Sequence, residues 1–163
     1  MGAEKRTGPV SSEEWLPLAV RYLARWDRTV AQVEQFLRHK GASPAQARRA
    51  IGRLSDLRYL DDRAYAERWI EHRQARHPMG RERLRAELLA KGIADALVEE
   101  TIHKAFRVGD EERMARHLLQ SRQQRGCRLT PVQAQRLLRQ RGFEEDTIDR
   151  IMGTLMKRED ARA

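Results

Sequence analysis

The side chains of this 163-residue sequence that could do chemistry fall into three small groups. Asp61-Asp62, followed by Glu67, is the best acidic group, and carboxylates so placed could hold a metal or exchange protons. The stronger reading is structural: Asp61 or Asp62 caps a helix carrying Tyr65, Ala66 and Trp69, with Tyr59-Leu60 as its hydrophobic staple. Five histidines, His39, His72, His77, His103 and His117, include no pair four residues apart, and no acidic cluster completes a metal site. Cys127 lies in a basic loop that would favour its thiolate, but no adjacent base supports a nucleophile. A lone cysteine forms no internal disulfide and no cysteine-based zinc site, which fits a reducing compartment such as the cytoplasm. Met79-Gly80-Arg81 is not a phosphate loop. The expectation is a protein with no catalytic residues, no metal and no cofactor.

What remains is charge. The chain carries 33 Lys+Arg against 24 Asp+Glu, a net of +9, and 28 of the cations are arginine. Between Arg113 and Phe143 stand eight arginines and no acid: Arg113, Arg116, Arg122, Arg125, Arg128, Arg136, Arg139 and Arg141. A second basic run, Arg73, Arg76, Arg81, Arg83, Arg85 and Lys91, is diluted by Glu82 and Glu87. Such faces suit a polyanion, nucleic acid first, and arginine's planar fork suits protein carboxylates equally well. No apolar run approaches the roughly 18 residues of a membrane span, and no apolar stretch follows Met1–Val10 as a secretory signal would require.

The elements that must position these charges are helices. Arg, Ala, Leu, Glu and Gln dominate, and no stretch alternates apolar with polar. Ser43-Pro44-Ala45-Gln46, Thr130-Pro131-Val132-Gln133 and Thr29-Val30-Ala31-Gln32 read as capping boxes. Gly41, Gly92 and Gly142 each follow a cation and end a helix, where a left-handed residue is wanted. They lie 51 and 50 residues apart, and the sequence repeats around them. Six residues after each stand Ala47, Val98 and Ile148; ten after, Ile51, Ile102 and Met152; thirteen after, Leu54, Ala105 and Leu155. That is one apolar helix face recurring three times. Another amphipathic helix precedes each unit, within Trp15–Trp26, Tyr65–Arg73 and Met114–Gln124. The tryptophans and tyrosines fall at helical spacing with aliphatics and read as core.

The expected fold is all-α: three tandem three-helix repeats at 13–58, 59–107 and 108–157, forming an elongated, curved array, with tails at 1–12 and 158–163.

Arg58-Tyr59-Leu60-Asp61-Asp62 with Tyr65-Ala66 and Trp69 resembles the signature of the RecX regulatory proteins. The stretch from Gly80 to Ile93 resembles that family's second-repeat motif, and Leu138 to Phe143 its third-repeat ending. Two positions depart from the pattern: Arg58 stands where the family usually has Gly, and His77-Pro78-Met79 separates the proline from Gly80. The resemblance implies a bacterial cytoplasmic protein that binds the RecA nucleoprotein filament on single-stranded DNA. It also implies inhibition of ATP hydrolysis, strand exchange and filament growth. Charge nominates the contacts: Arg81, Arg85 and Lys91 in the second repeat, and Arg122, Arg125, Arg128 and Arg139 in the third. Direct contact with single- or double-stranded DNA is possible on the same faces, and a monomer is expected. The rival reading is a stand-alone helical DNA-binding protein making mainly non-specific phosphate contacts.

Overall fold

A computed structural model describes residues 15–107 and 109–160. Most of the two expected tails lies outside the described residues, although the last helix runs on to Asp160. Every regular element among the described residues is helical. The order is α1 (Trp15–Leu23), α2 (Val30–His39), α3 (Pro44–Asp56), α4 (Asp62–Arg76), α5 (Arg81–Ala90), α6 (Asp95–Ala105), α7 (Asp110–Gln124), α8 (Pro131–Gln140) and α9 (Glu145–Asp160). They fall into two compact units, residues 15–65 with 91–93, and residues 66–90 with 94–160.

The helix starts follow the sequence closely. Thr29, Ser43 and Thr130 each accept the amide of the glutamine three residues on, and each glutamine side chain accepts the cap's own N–H. Gly41, Gly92 and Gly142 take positive φ of 101°, 78° and 71°. After α2 and α8 the chain closes in the same way: Ala42 N–H donates to Leu37 O, and Phe143 N–H to Leu138 O.

The departure at Arg58 has a structural counterpart. Tyr59 N–H donates to Leu54 O and Arg58 N–H to Ser55 O, so Arg58 occupies the left-handed position that glycine holds after α2 and α8. Its φ is 58°, the only positive value at a non-glycine among the described residues. A left-handed L-residue costs about 1–2 kcal/mol, and glycine's extra freedom in the unfolded chain offsets part of that. Arg58→Gly is therefore expected to raise stability by roughly 0.5–1 kcal/mol, read as a higher urea midpoint at unchanged slope.

In the first unit α1, α2 and α3 pack around Trp15, Ala19, Val33, Leu37, Ala47, Ala50, Leu54 and Leu60. In the second, α4, α5 and α6 bury Ala66, Ile70, Leu84, Leu88, Val98 and Ile102. There α7, α8 and α9 close over Ala115, Leu118, Leu138, Phe143, Ile148 and Ile151. Of the repeated apolar positions, Ala47, Val98 and Ile148 are fully buried. Ala105 is not: it is exposed at the end of α6, and Phe106 fills the interior beside it. The aromatic residues also divide. Trp15 and Tyr65 are core, but Trp26 and Tyr59, expected there, are 70% and 59% exposed because each lies in a turn after its helix has ended.

Each unit contains a joint of the same construction. In the first, Thr29 Oγ1 donates to Lys91 O at 2.6 Å, and a Cβ on Gly92 would lie 2.3 Å from that of Ala31. In the second, Gly80 N–H donates to Arg141 O at 3.0 Å and Glu82 N–H to Gly142 O at 3.1 Å. A glycine-ended helix terminus thus meets a helix start in both, through the Thr29 hydroxyl and the Ala31 methyl in the first and backbone to backbone in the second. A carboxylate completes each joint: Asp62 accepts Val30 N–H at 2.9 Å, and Glu111 accepts Arg81 N–H at 2.8 Å. The two aspartates before α4 consequently have separate work. Asp61 caps its own helix through Ala64 N–H, while Asp62 caps the start of α2.

Candidate protein- and nucleic-acid-binding faces

The seven nominated cations are not equivalent. Arg81 opens α5 inside the second joint, where its guanidinium lies 5.2 Å from the centre of the Phe106 ring and donates to Phe106 O at 3.3 Å. Its Nε is 3.7 Å from Glu111 Oε2. This cation is already opposed by a buried carboxylate and is held within the fold. Arg85 forks onto Glu99 of α6 through Nε and Nη2, the latter at 3.1 Å, and Glu99 is pulled below the ordinary carboxylate range by that bond. Arg139 forks onto Glu145 at 2.7 and 3.0 Å on an exposed surface, with the same effect on Glu145. Arg139 also lines a cleft of about 440 Å³ with Glu82, Arg83, Glu87 and Gln140, where cations and acids alternate. Lys91 belongs to the first unit, where its carbonyl receives Thr29 and its ammonium lies 5.9 Å from the centre of the Tyr65 ring.

Arg122, Arg125 and Arg128 differ from these. They occupy the last turn of α7 and the loop to α8, with Arg125 and Arg128 exposed, and none makes an ion pair with a described residue. The reason is reach. A helical side chain meets neighbours three and four residues away. Arg113 and Arg116, at the edge of the acid-free run, find Asp110 and Glu112 in this way. Arg139 reaches forward to Glu145. The interior of the run lies beyond both ends. Arg136 and Arg141 share that position and also lack an ion-pair partner among the described residues. Neither is among the seven nominated, although the absence of any acid within four residues of Arg136 already marks it. Cys127 is an exposed thiol between Arg125 and Arg128. Among the described residues no group of three or more His, Cys, Asp or Glu could hold a metal ion, and no helix is long and apolar enough to cross a membrane.

The buried Glu111 and the half-buried Asp62 tie segments of the fold together. Glu111 is 3% exposed and accepts from Arg81 N–H, from Glu144 N–H at 3.4 Å and from Thr147 Oγ1 at 3.3 Å. Burial raises its pKa above the ordinary 4.5 despite these donors, and burial raises that of Asp62 in the same way.

The fold and its faces define a helical-repeat protein with an arginine-rich surface. The model of the second three-helix domain of RecX matches residues 61–102, and that of the first three-helix domain matches residues 18–54. This chain belongs to the RecX family. The regulatory protein RecX of a Thermus thermophilus strain is 42% identical over 94 residues, covering 56% of this chain, and the match spans 63% of that relative's length. The regulatory protein RecX of Chlorobaculum tepidum is 29% identical over 149 residues, covering 89% of this chain and 90% of its own. The crystal structure of RecX from Lactobacillus salivarius superposes with a TM-score of 0.77 over 88% of this chain and 96% of that one, at 23% identity, a likeness of fold.

Proposed function

We propose that this chain is a non-enzymatic cytoplasmic regulator that binds the RecA–single-stranded DNA filament. It inhibits RecA ATPase, strand exchange and filament growth, and so modulates recombination and repair. Membership of a family of regulatory proteins supports the reading. The observation that carries it is the set of arginines on the α7–α8 connection, which make no ion pair with a described residue. Planar guanidinium forks at Arg122, Arg125 and Arg128 suit carboxylates on the surface of a protein filament and phosphates of the DNA inside it. A monomer bridging neighbouring subunits would favour one arrangement of them, and a filament whose ATP cycle requires alternation would then slow. Arg81, Arg85, Lys91 and Arg139, held by partners within the chain, serve mainly to build and orient the faces.

The test is RecA ATPase on single-stranded DNA, titrated with the protein. Inhibition below one molecule per RecA subunit is expected. Replacing Arg122, Arg125 and Arg128 together by Glu should raise the concentration needed at least about tenfold, since several charge-assisted contacts are reversed at once. Unchanged inhibition by the triple variant, with helicity retained, would exclude this face. No inhibition by the unaltered chain would exclude the RecA reading itself. Tight duplex binding without RecA, falling steeply with salt, would favour the stand-alone DNA-binding alternative.

A further inference from the structure

The first unit carries a cleft that neither the joints nor the arginine-rich loop uses. It encloses about 340 Å³ and is lined by Tyr22, Arg28, Gln32, Gln35, Phe36 and His39. That volume is at the small-ligand end of binding clefts and suits a single nucleotide. Gln32, Gln35, Phe36 and His39 are spaced to form one face of α2. The Tyr22 and Phe36 rings stack with centroids 3.9 Å apart and planes 3° from parallel. The Arg28 guanidinium lies 4.9 Å from the Tyr22 centroid, and the Lys40 ammonium 5.8 Å from that of Phe36. The result is a column of cation, ring, ring and cation.

Two features of this column point outward to a ligand. No acid lines the cleft, and neither Arg28 nor Lys40 has an ion-pair partner among the described residues. Arg28 Nε is buried with no hydrogen-bond partner among the described residues, an arrangement that folding alone leaves unfavourable. Trp26, on the same turn as Arg28, is 70% exposed, and Arg25 beside it is exposed too. Gln32 uses its Oε1 on Thr29 N–H, which leaves its amide donors. The ligand this set fits has a planar face for the exposed Trp26 ring, polar edges for the amides, and negative charge for Arg28.

We propose that the cleft binds an unstacked nucleotide of single-stranded nucleic acid. Arg28 holds the phosphate, Gln32 and Gln35 meet the base edge, and the Trp26 turn offers a stacking face to the strand. A duplex cannot supply this ligand, because its bases are stacked inside it. The proposal does not depend on RecA, which is left out of its test.

The experiment is fluorescence anisotropy of a labelled oligo(dT) of roughly 20 nucleotides with the full chain at fixed low salt. Unlabelled oligo(dT), duplex of equal length and inorganic polyphosphate serve as competitors. Oligo(dT) should compete best. Trp26→Ala and Arg28→Ala should each weaken binding by about tenfold or more, the scale of one lost stacking contact. Trp26 is exposed, so its variant stays folded whatever Arg28→Ala does to the turn. The Arg122, Arg125 and Arg128 triple reversal should weaken binding overall but keep the preference for single strand. If Trp26→Ala and Arg28→Ala bind as the unaltered chain does, the cleft is not the site. If duplex or polyphosphate competes as well as oligo(dT), the surface is a phosphate patch and the base-binding proposal fails.

Discussion

Gly80→Ala should lower stability by about 3–5 kcal/mol, far more than its single methyl group suggests. A Cβ at Gly80 would lie 2.1 Å from Gly142 O, 2.3 Å from Gly142 C and 2.3 Å from Phe143 Cα. All three are backbone atoms, so no rotamer change relieves the clash. The joint would have to open, and with it the bonds from Gly80 N–H to Arg141 O and from Glu82 N–H to Gly142 O. Gly41→Ala is the control. Gly41 also ends a helix in the left-handed region, at φ 101°, but a Cβ there meets nothing within 4 Å. Its cost is backbone strain alone, about 1 kcal/mol. Urea unfolding of the two variants separates close approach from conformational preference. Equal losses would mean that the joint does not close as described.

Glu111→Ala should cost about 3 kcal/mol, because it strands the partners of a buried carboxylate. Arg81 N–H and Glu144 N–H lose their side-chain acceptor, the Thr147 hydroxyl loses the oxygen it donates to, and the Arg81 guanidinium loses its opposing charge. Glu111→Gln keeps an amide oxygen for Arg81 N–H and should cost about 1 kcal/mol or less. The pH dependence separates the two further. Burial lifts the folded-state pKa of Glu111 above its ordinary 4.5, so the folded chain holds this proton to higher pH than the unfolded chain does. By linkage its contribution to stability is highest below the ordinary pKa. That contribution falls as pH rises through the raised value and is level above it. Asp62, raised by burial from 3.8, acts in the same direction. Glu111→Gln should therefore flatten the decline, measured as ΔG of unfolding against pH across the carboxylate range. A decline of unchanged slope would assign it to other groups.

The separate roles of Asp61 and Asp62 show where sequence reasoning reaches its limit. Two adjacent acids before an amphipathic helix announce a cap, because capping involves residues three apart and is written locally. Which of them turns back to Val30, 32 residues earlier, depends on how α2 and α4 meet. Glu111 is the same case. It reads as one of three acids favouring the start of α7, yet its partners lie 30, 33 and 36 residues away. The arginines divide by the same rule. The acid-free run and its edges are visible in the chain, and so is the isolation of Arg136 from any acid within helical reach. That Arg81 and Arg85 are held by Glu111 and Glu99 is not visible, since both pairs close across separate helices.

The sequence by itself determined that the chain is helical and where its boxes and glycine turns fall. Those choices are governed by interactions within four or five residues, and the apolar face that each helix must bury is written at the same spacing. Tertiary structure decided what touches what. It made Gly80 a contact point rather than a flexible linker, placed Asp62 and Glu111 in the joints, and left Trp26 outside the core. It also assembled Tyr22, Phe36, Arg28 and Lys40 into one column. The physical reason is the same in each case. A close approach or a stacked ring belongs to two segments at once, and the spacing within either one does not encode the other.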